Sequence, residues 1–73
     1  MQASEIARLQ QYIENKLGIR NVSVRAREKK DDSVEVYMGE EFIGVIFRDD
    51  EDGDLCYQFN MAILDEDLPA IQQ

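Results

Sequence analysis

Apolar residues recur first with the period of a helix and then with the period of a strand. Ile6, Leu9, Ile13 and Leu17 are spaced by three, four and four residues, which places them on one face of an α-helix. Arg8, Gln11, Glu14 and Asn15 fall elsewhere, and Tyr12 and Lys16 flank the stripe. Ser4 stands where a hydroxyl accepts from free first-turn amides, and Glu5 where the helix dipole favours an anion. Gly18 ends the helix, because a residue without Cβ enters the left-handed conformation without a clash. Such a stripe is either a docking surface or the core face of a helix lying on a sheet, and the pattern favours the sheet.

From Val22 the period drops to two. Val22, Val24 and Ala26 alternate with Ser23, Arg25 and Arg27, and a polar stretch at 28–32 reads as a loop. Val34 and Val36 alternate with Glu35 and Tyr37. Gly39-Glu40 fits a two-residue II′ hairpin, which takes glycine first. A third strand runs over about residues 41–48, and Leu55, Tyr57, Phe59 and Met61 alternate with Cys56, Gln58 and Asn60 in a fourth. The loops predict a register: Val24 with Val36, Ala26 with Val34, Val36 with Ile43, Val34 with Val45, Val45 with Tyr57 and Ile43 with Phe59. All these pairs share one face, as cross-strand packing requires. The prediction is an α+β domain: an N-terminal helix on one face of a four-stranded antiparallel meander, order 1-2-3-4, then a short C-terminal turn or helix.

The expected core joins the helical stripe to Val22, Val24, Val34, Val36, Ile43, Val45, Phe47, Leu55, Tyr57, Phe59 and Met61. The opposite face then carries Arg25, Arg27, Glu35, Tyr37, Phe42, Gly44, Ile46, Cys56, Gln58 and Asn60. One helix cannot cover both faces. Tyr37, Phe42, Ile46 and Cys56 are therefore expected as an uncovered apolar cluster, the kind of patch that marks a partner surface, with Arg25 and Arg27 available for ion pairs. The competing occupant of that face is segment 62–73. Ile63, Leu64, Leu68 and Ile71 give it something to bury, and Asp67 and Pro69 suit the start of one helical turn. It is too short to be a stable helix alone, so it docks or frays.

Length and composition narrow the function. The 73 residues make a single domain, 1–73. A chain this short buries only about 60% of the surface its unfolded form exposes, so a second copy is a natural source of stability. Cys56 is the only cysteine, which excludes an internal disulfide and fits a reducing, cytoplasmic setting. Charged residues interrupt the first twenty positions, so no secretory signal is expected, and no apolar run approaches the ~20 residues of a membrane span. Net charge is −8 and uneven: residues 1–30 carry seven bases and three acids (+4), and residues 31–73 carry Arg48 against thirteen acids (−12). The acidic part repels phosphate backbones and suits a basic partner or the basic part of another copy. Nucleic-acid binding would have to use Arg20, Arg25, Arg27, Lys29 and Lys30, and the charge balance disfavours it.

The most chemical-looking stretch is RDDEDGDL, residues 48–55. Aligning Gly53 with the sixth position of a calcium loop puts Arg48 first and Phe59 twelfth, and both break the pattern. Asp49, Asp50, Asp52 and Asp54 are left as weak cation ligands in what reads as a solvated turn. There is no histidine, the commonest general base and metal ligand. Cys56 lies mid-strand with no imidazole to activate it, and Glu40-Glu41 sits on a hairpin tip without a desolvating pocket. No enzyme, metal site or cofactor is expected.

Residues 31–68, DDSVEVYMGEEFIGVIFRDDEDGDLCYQFNMAILDEDL, resemble a family of short alpha-proteobacterial proteins designated domain of unknown function 3126. EVYMGEEFIGV, the acidic loop with RDD, and YQFNMAILDEDL carry the likeness, and the N-terminal helix matches in character. The resemblance implies a stand-alone bacterial cytosolic protein and brings no catalytic residues with it. The expected function is that of a non-enzymatic interaction or structural module, self-associating through the outer sheet face or binding another protein. A weak cation- or ligand-binding domain on the acidic loop is the alternative.

Overall fold

A computed structural model describes residues 1–71. Helix α1 (Ala3–Leu17) is followed by β1 (Val22–Arg27), β2 (Lys30–Met38), β3 (Glu41–Asp49), β4 (Cys56–Asn60) and one 3-10 turn (Asp65–Asp67). The strands form one antiparallel sheet in the order β1-β2-β3-β4. This is the predicted α+β meander.

The helix begins two residues earlier than a Ser4 cap suggests. Gln2 is the N-cap, and its backbone N–H donates to the Glu5 carboxylate at 3.2 Å, half of a capping box. Gly18 closes the helix at φ 68°, and the Ile19 N–H donates to the Glu14 carbonyl at 3.2 Å. The core consists of Ile13, Val22, Val24, Val34, Val36 and Ile46, with Ile6, Leu9, Ile43, Tyr57 and Phe59 packed against it. The helix lies against β1, and the Gln10 side-chain oxygen accepts the Val24 N–H at 3.1 Å. That bond ties the helix to an edge strand whose backbone groups would otherwise be open.

The first hairpin is tighter than expected. Arg27 pairs with Lys30 across a two-residue turn in which Lys29 takes φ 64°. The ladder then slips before Ala26–Val34 and Val24–Val36, the pairs the sequence predicts. The second hairpin turns at Gly39-Glu40 as expected, with Gly39 at φ 60°. Met38 pairs with Glu41 and Tyr37 with Phe42, but Val36 pairs with Gly44, so a bulge at Ile43 adds one residue to β3. One extra residue turns the rest of a strand over.

The bulge corrects the expected core. Val34 pairs with Ile46 instead of Val45, and Ile46 faces inward at 2% exposure. Val45 pairs with Glu35 on the outer face, and Phe47 pairs with Ser33 and is 40% exposed. The β3–β4 ladder shifts correspondingly: Phe59 meets Ile46 and Tyr57 meets Arg48, so both aromatic rings keep their inward position. Leu17, Leu55 and Met61, also expected in the core, are exposed.

Candidate interaction surface

The outer face of the sheet is built around an ordered stack. Arg25 on β1 and Tyr37 on β2 point to the same side, and the guanidinium carbon lies 3.9 Å from the ring centroid, a cation–π arrangement. Arg25 is held there by its own Nε, which donates to Ser23 Oγ at 2.8 Å. Tyr37 meets Phe42 edge to face, with centroids 5.6 Å apart and planes at 70°. The Tyr37 hydroxyl donates to Glu35 Oε1 at 3.2 Å. Partial burial of the phenol, and then this bond to a carboxylate, raise its pKa. Arg27 reaches across to donate from Nη1 to Ser33 Oγ at 3.1 Å, which satisfies the one buried polar side chain of the sheet. Phe42 is half exposed, and Val45 and Phe47 extend the apolar surface toward β4.

Of the residues expected on this face, the structure brings together Arg25, Arg27, Tyr37 and Phe42. Cys56 also lies on this side, at the far end of β4, with its thiol exposed and Gln58 Nε2 3.5 Å from its sulfur. Ile46 does not belong here: the Ile43 bulge places it in the core beneath α1. Its place on the outer face goes to Val45 and Phe47, which sequence reasoning missed. The missed signal was Gly44, since an isolated glycine inside a strand pattern marks a bulge or a close backbone approach. Both hold here. A Cβ on Gly44 would collide with the Asn60 carbonyl oxygen and come within 2.7 Å of the Phe59 ring.

On the inner side, α1 leaves a cleft of about 620 Å³ between itself and β4. Leu9, Tyr12, Leu17, Leu55 and Phe59 line it, and Arg8 and Lys16 stand on its helical rim. At one end Glu5 closes the gap. Its Oε2 accepts the Tyr57 hydroxyl at 2.7 Å and lies 3.7 Å from Arg48 Nε. The Tyr57 bond first, and then the Gln2 amide, lower the pKa of Glu5, and the same bond raises that of Tyr57.

The acidic loop is a turn. Asp49 ends β3 and its carboxylate accepts the Glu51 N–H at 3.2 Å, while the Gly53 N–H donates to the Asp50 carbonyl with Gly53 at φ 85°. Asp50, Asp52 and Asp54 are exposed. Among the described residues no three acids or cysteines converge as a metal-binding group. The basic stretch is dispersed: Arg25 and Arg27 are engaged on the outer face, Lys29 is at a hairpin tip and Lys30 opens β2. No described helix is long and apolar enough to cross a membrane.

A family model described as a protein of unknown function (DUF3126) matches residues 5–67. The chain belongs to this family. The matched span runs from the first turn of α1 through the 3-10 turn, so in this DUF3126 protein it includes the Arg25–Tyr37–Phe42 stack, the Gly44 contact and the acidic loop. No curated protein and no solved structure matches the chain.

After β4 the chain leaves the domain. Residues 61–71 are all exposed, including Met61, Ile63, Leu64, Leu68 and Ile71. Segment 62–73 therefore does not cover the outer face over its described part; residues 72–73 lie outside the described residues.

Proposed function

We propose that this protein is a small non-enzymatic interaction module that self-associates through the outer face of its sheet. The observation that carries this reading is the pair Phe42 and Phe47, half-exposed aromatics on a sheet face that no described element covers. Tyr37 and Arg25 beside them are already held in place by hydrogen bonds and stacking, so little side-chain freedom is lost when a partner arrives. Aromatic residues and arginine are the types that concentrate binding energy in interface centres. The charges favour a second copy as partner. Arg25 and Arg27 flank the face on the β1 side and Asp49 flanks it on the β3 side, so apposition about a two-fold axis parallel to the strands sets the basic flank of each copy near the acidic flank of the other. An exposed free Cys56 thiol supports a reducing, cytoplasmic compartment. The alpha-proteobacterial setting rests on the sequence resemblance.

Light scattering across a concentration series tests the reading. The expected result is a reversible dimer that Phe42→Asp and Phe47→Asp each dissociate while their circular dichroism stays native. A wild-type chain that remains monomeric at ~1 mM, where even a contact of about −4 kcal/mol would be half formed, overturns it.

A further inference from the structure

The cleft beside α1 and the arm after β4 are two apolar surfaces that do not meet within one chain. The cleft is lined only by residues of α1, β3, β4 and the position before β4, and the arm is exposed along residues 61–71. Their chemistry is complementary. The cleft floor is Leu9, Leu17, Leu55 and Phe59, with Arg8 and Lys16 on the rim about 12 Å apart along the helix axis, from a rise of ~1.5 Å per residue. The arm presents Leu64 and Leu68 on either side of Asp65-Glu66-Asp67. Backbone bonds close these acids into a 3-10 turn, Asp67 N–H to Leu64 carbonyl at 2.9 Å and Leu68 N–H to Asp65 carbonyl at 3.2 Å. The arm is thus a preformed acidic knuckle between two leucines, and the cleft is an apolar trough edged by two cations.

We propose that the arm of one copy seats in the α1–β4 cleft of a second copy, with Leu64 and Leu68 on the apolar floor and Asp65, Glu66 and Asp67 against Arg8 and Lys16. The reach suffices. Residues 61–64 in extended form and the 3-10 turn that follows carry Leu68 up to about 24 Å from the end of β4, comparable to the shorter dimensions of the molecule, 26 and 25 Å. Exchange in both directions gives a closed two-fold dimer in which each cleft is filled. This contact shares no residue with the outer face, so it goes beyond the preceding reading and does not rest on it.

A charge swap in the full chain tests it by sedimentation equilibrium at low salt. One variant carries Arg8→Glu and Lys16→Glu, the other Asp65→Lys, Glu66→Lys and Asp67→Lys. Each alone is expected to dimerise at least 10-fold more weakly than wild type. A one-to-one mixture is expected to regain dimer, because an unaltered acidic arm meets an unaltered basic rim and a basic arm meets an acidic rim. A mixture that stays monomeric shows each arm in its own cleft or in none and overturns the proposal. Either variant dimerising like wild type, or wild type itself remaining monomeric, also overturns it. Leu64→Ser with Leu68→Ser lies outside the packed domain and gives an independent reading, again an expected loss of dimer. Outer-face association is told apart by Phe42→Asp. A dimer lost in that variant but kept in both charge variants supports the outer face and refutes the arm contact, and the opposite pattern does the reverse.

Discussion

The β1–β2 side of the inner sheet face is sealed, and the β3–β4 side stands ajar. Val22, Val24, Val34 and Val36 are buried under α1, whereas Tyr57 and Phe59 are only partly covered and Leu55 is open. Width explains the difference. Four strands spaced ~4.8 Å apart span roughly 14 Å between the outermost backbones, and a helix with its side chains is about 10–12 Å across. A helix tied to β1 through Gln10 and Val24 leaves β4 beyond its edge. The second half of the sheet therefore relies on fewer, more specific contacts: one isoleucine, one glycine and one carboxylate–phenol bond.

Changes at those three contacts should break the open side before the sealed one. Ile46 is the only buried side chain that β3 sends inward beside Gly44. Ile46→Ala should cost about 2–5 kcal/mol, the range for truncating a buried aliphatic residue. That is a large share of what a domain of this size has. Urea unfolding measures it, and a cost no greater than that of Val45→Ala would contradict the inward placement. Gly44→Ala should follow, at about 1–3 kcal/mol, because its Cβ would press on the Asn60 backbone and the Phe59 ring. The strain falls on β4, so hydrogen exchange should show Gln58 and Asn60 amides losing protection while Val24 and Val36 keep theirs.

Gly44 also marks where the sequence ceased to predict the structure. The element order, the helix stop at Gly18, the turn at Gly39-Glu40 and the Val24–Val36 pairing were legible, because each depends on local pattern or on a residue with one conformational role. The face of β3 was not. EFIGVIF is apolar at Phe42, Ile43, Val45, Ile46 and Phe47, so period two fits either face, and loop length alone decided the register. The bulge reversed that decision and moved Ile46 from the interaction cluster to the core. The Glu5–Tyr57 bond joins residues 52 positions apart, and no local signal announces a pairing at that distance. The outer cluster was recovered in part: Tyr37, Phe42, Arg25 and Arg27 lie before or outside the flipped segment and kept their faces.

The Glu5–Tyr57 bond gives the open side a pH dependence. The folded pKa of Glu5 lies below its ordinary 4.5, chiefly because the carboxylate accepts the Tyr57 hydroxyl. The stabilisation is therefore complete above pH 4.5 and is lost as pH falls through the folded value. Tyr57 titrates above its ordinary 10.0 for the same reason, so its contribution is complete below pH 10 and is lost as pH rises through the folded value. Glu5→Gln should lower the melting temperature at neutral pH, and the gap to wild type should close as acid protonates the carboxylate. A gap that is constant from pH 7 to acid would mean that the substitution acts through helix capping alone.

The smallest effect on monomer stability should come from the outer aromatics. Phe42 and Phe47 are exposed at 50% and 40%, so each ring already has roughly half its surface in water, and its truncation leaves no sealed cavity. Phe42→Ala and Phe47→Ala, measured by urea unfolding in dilute solution where any dimer has dissociated, should each change stability by no more than about 0.5 kcal/mol. Phe42 is the more exacting case, because its edge contact with the Tyr37 ring is lost as well. At high concentration the same variants should diverge from wild type, since an outer-face dimer adds stability by mass action and only wild type forms it, whereas the arm contact is common to all three. A midpoint that rises more steeply with concentration in wild type than in both variants separates a face held for a partner from one that serves the monomer. A loss above 2 kcal/mol in dilute solution would place these rings in the fold's own packing and remove the ground for reading the outer face as a contact surface.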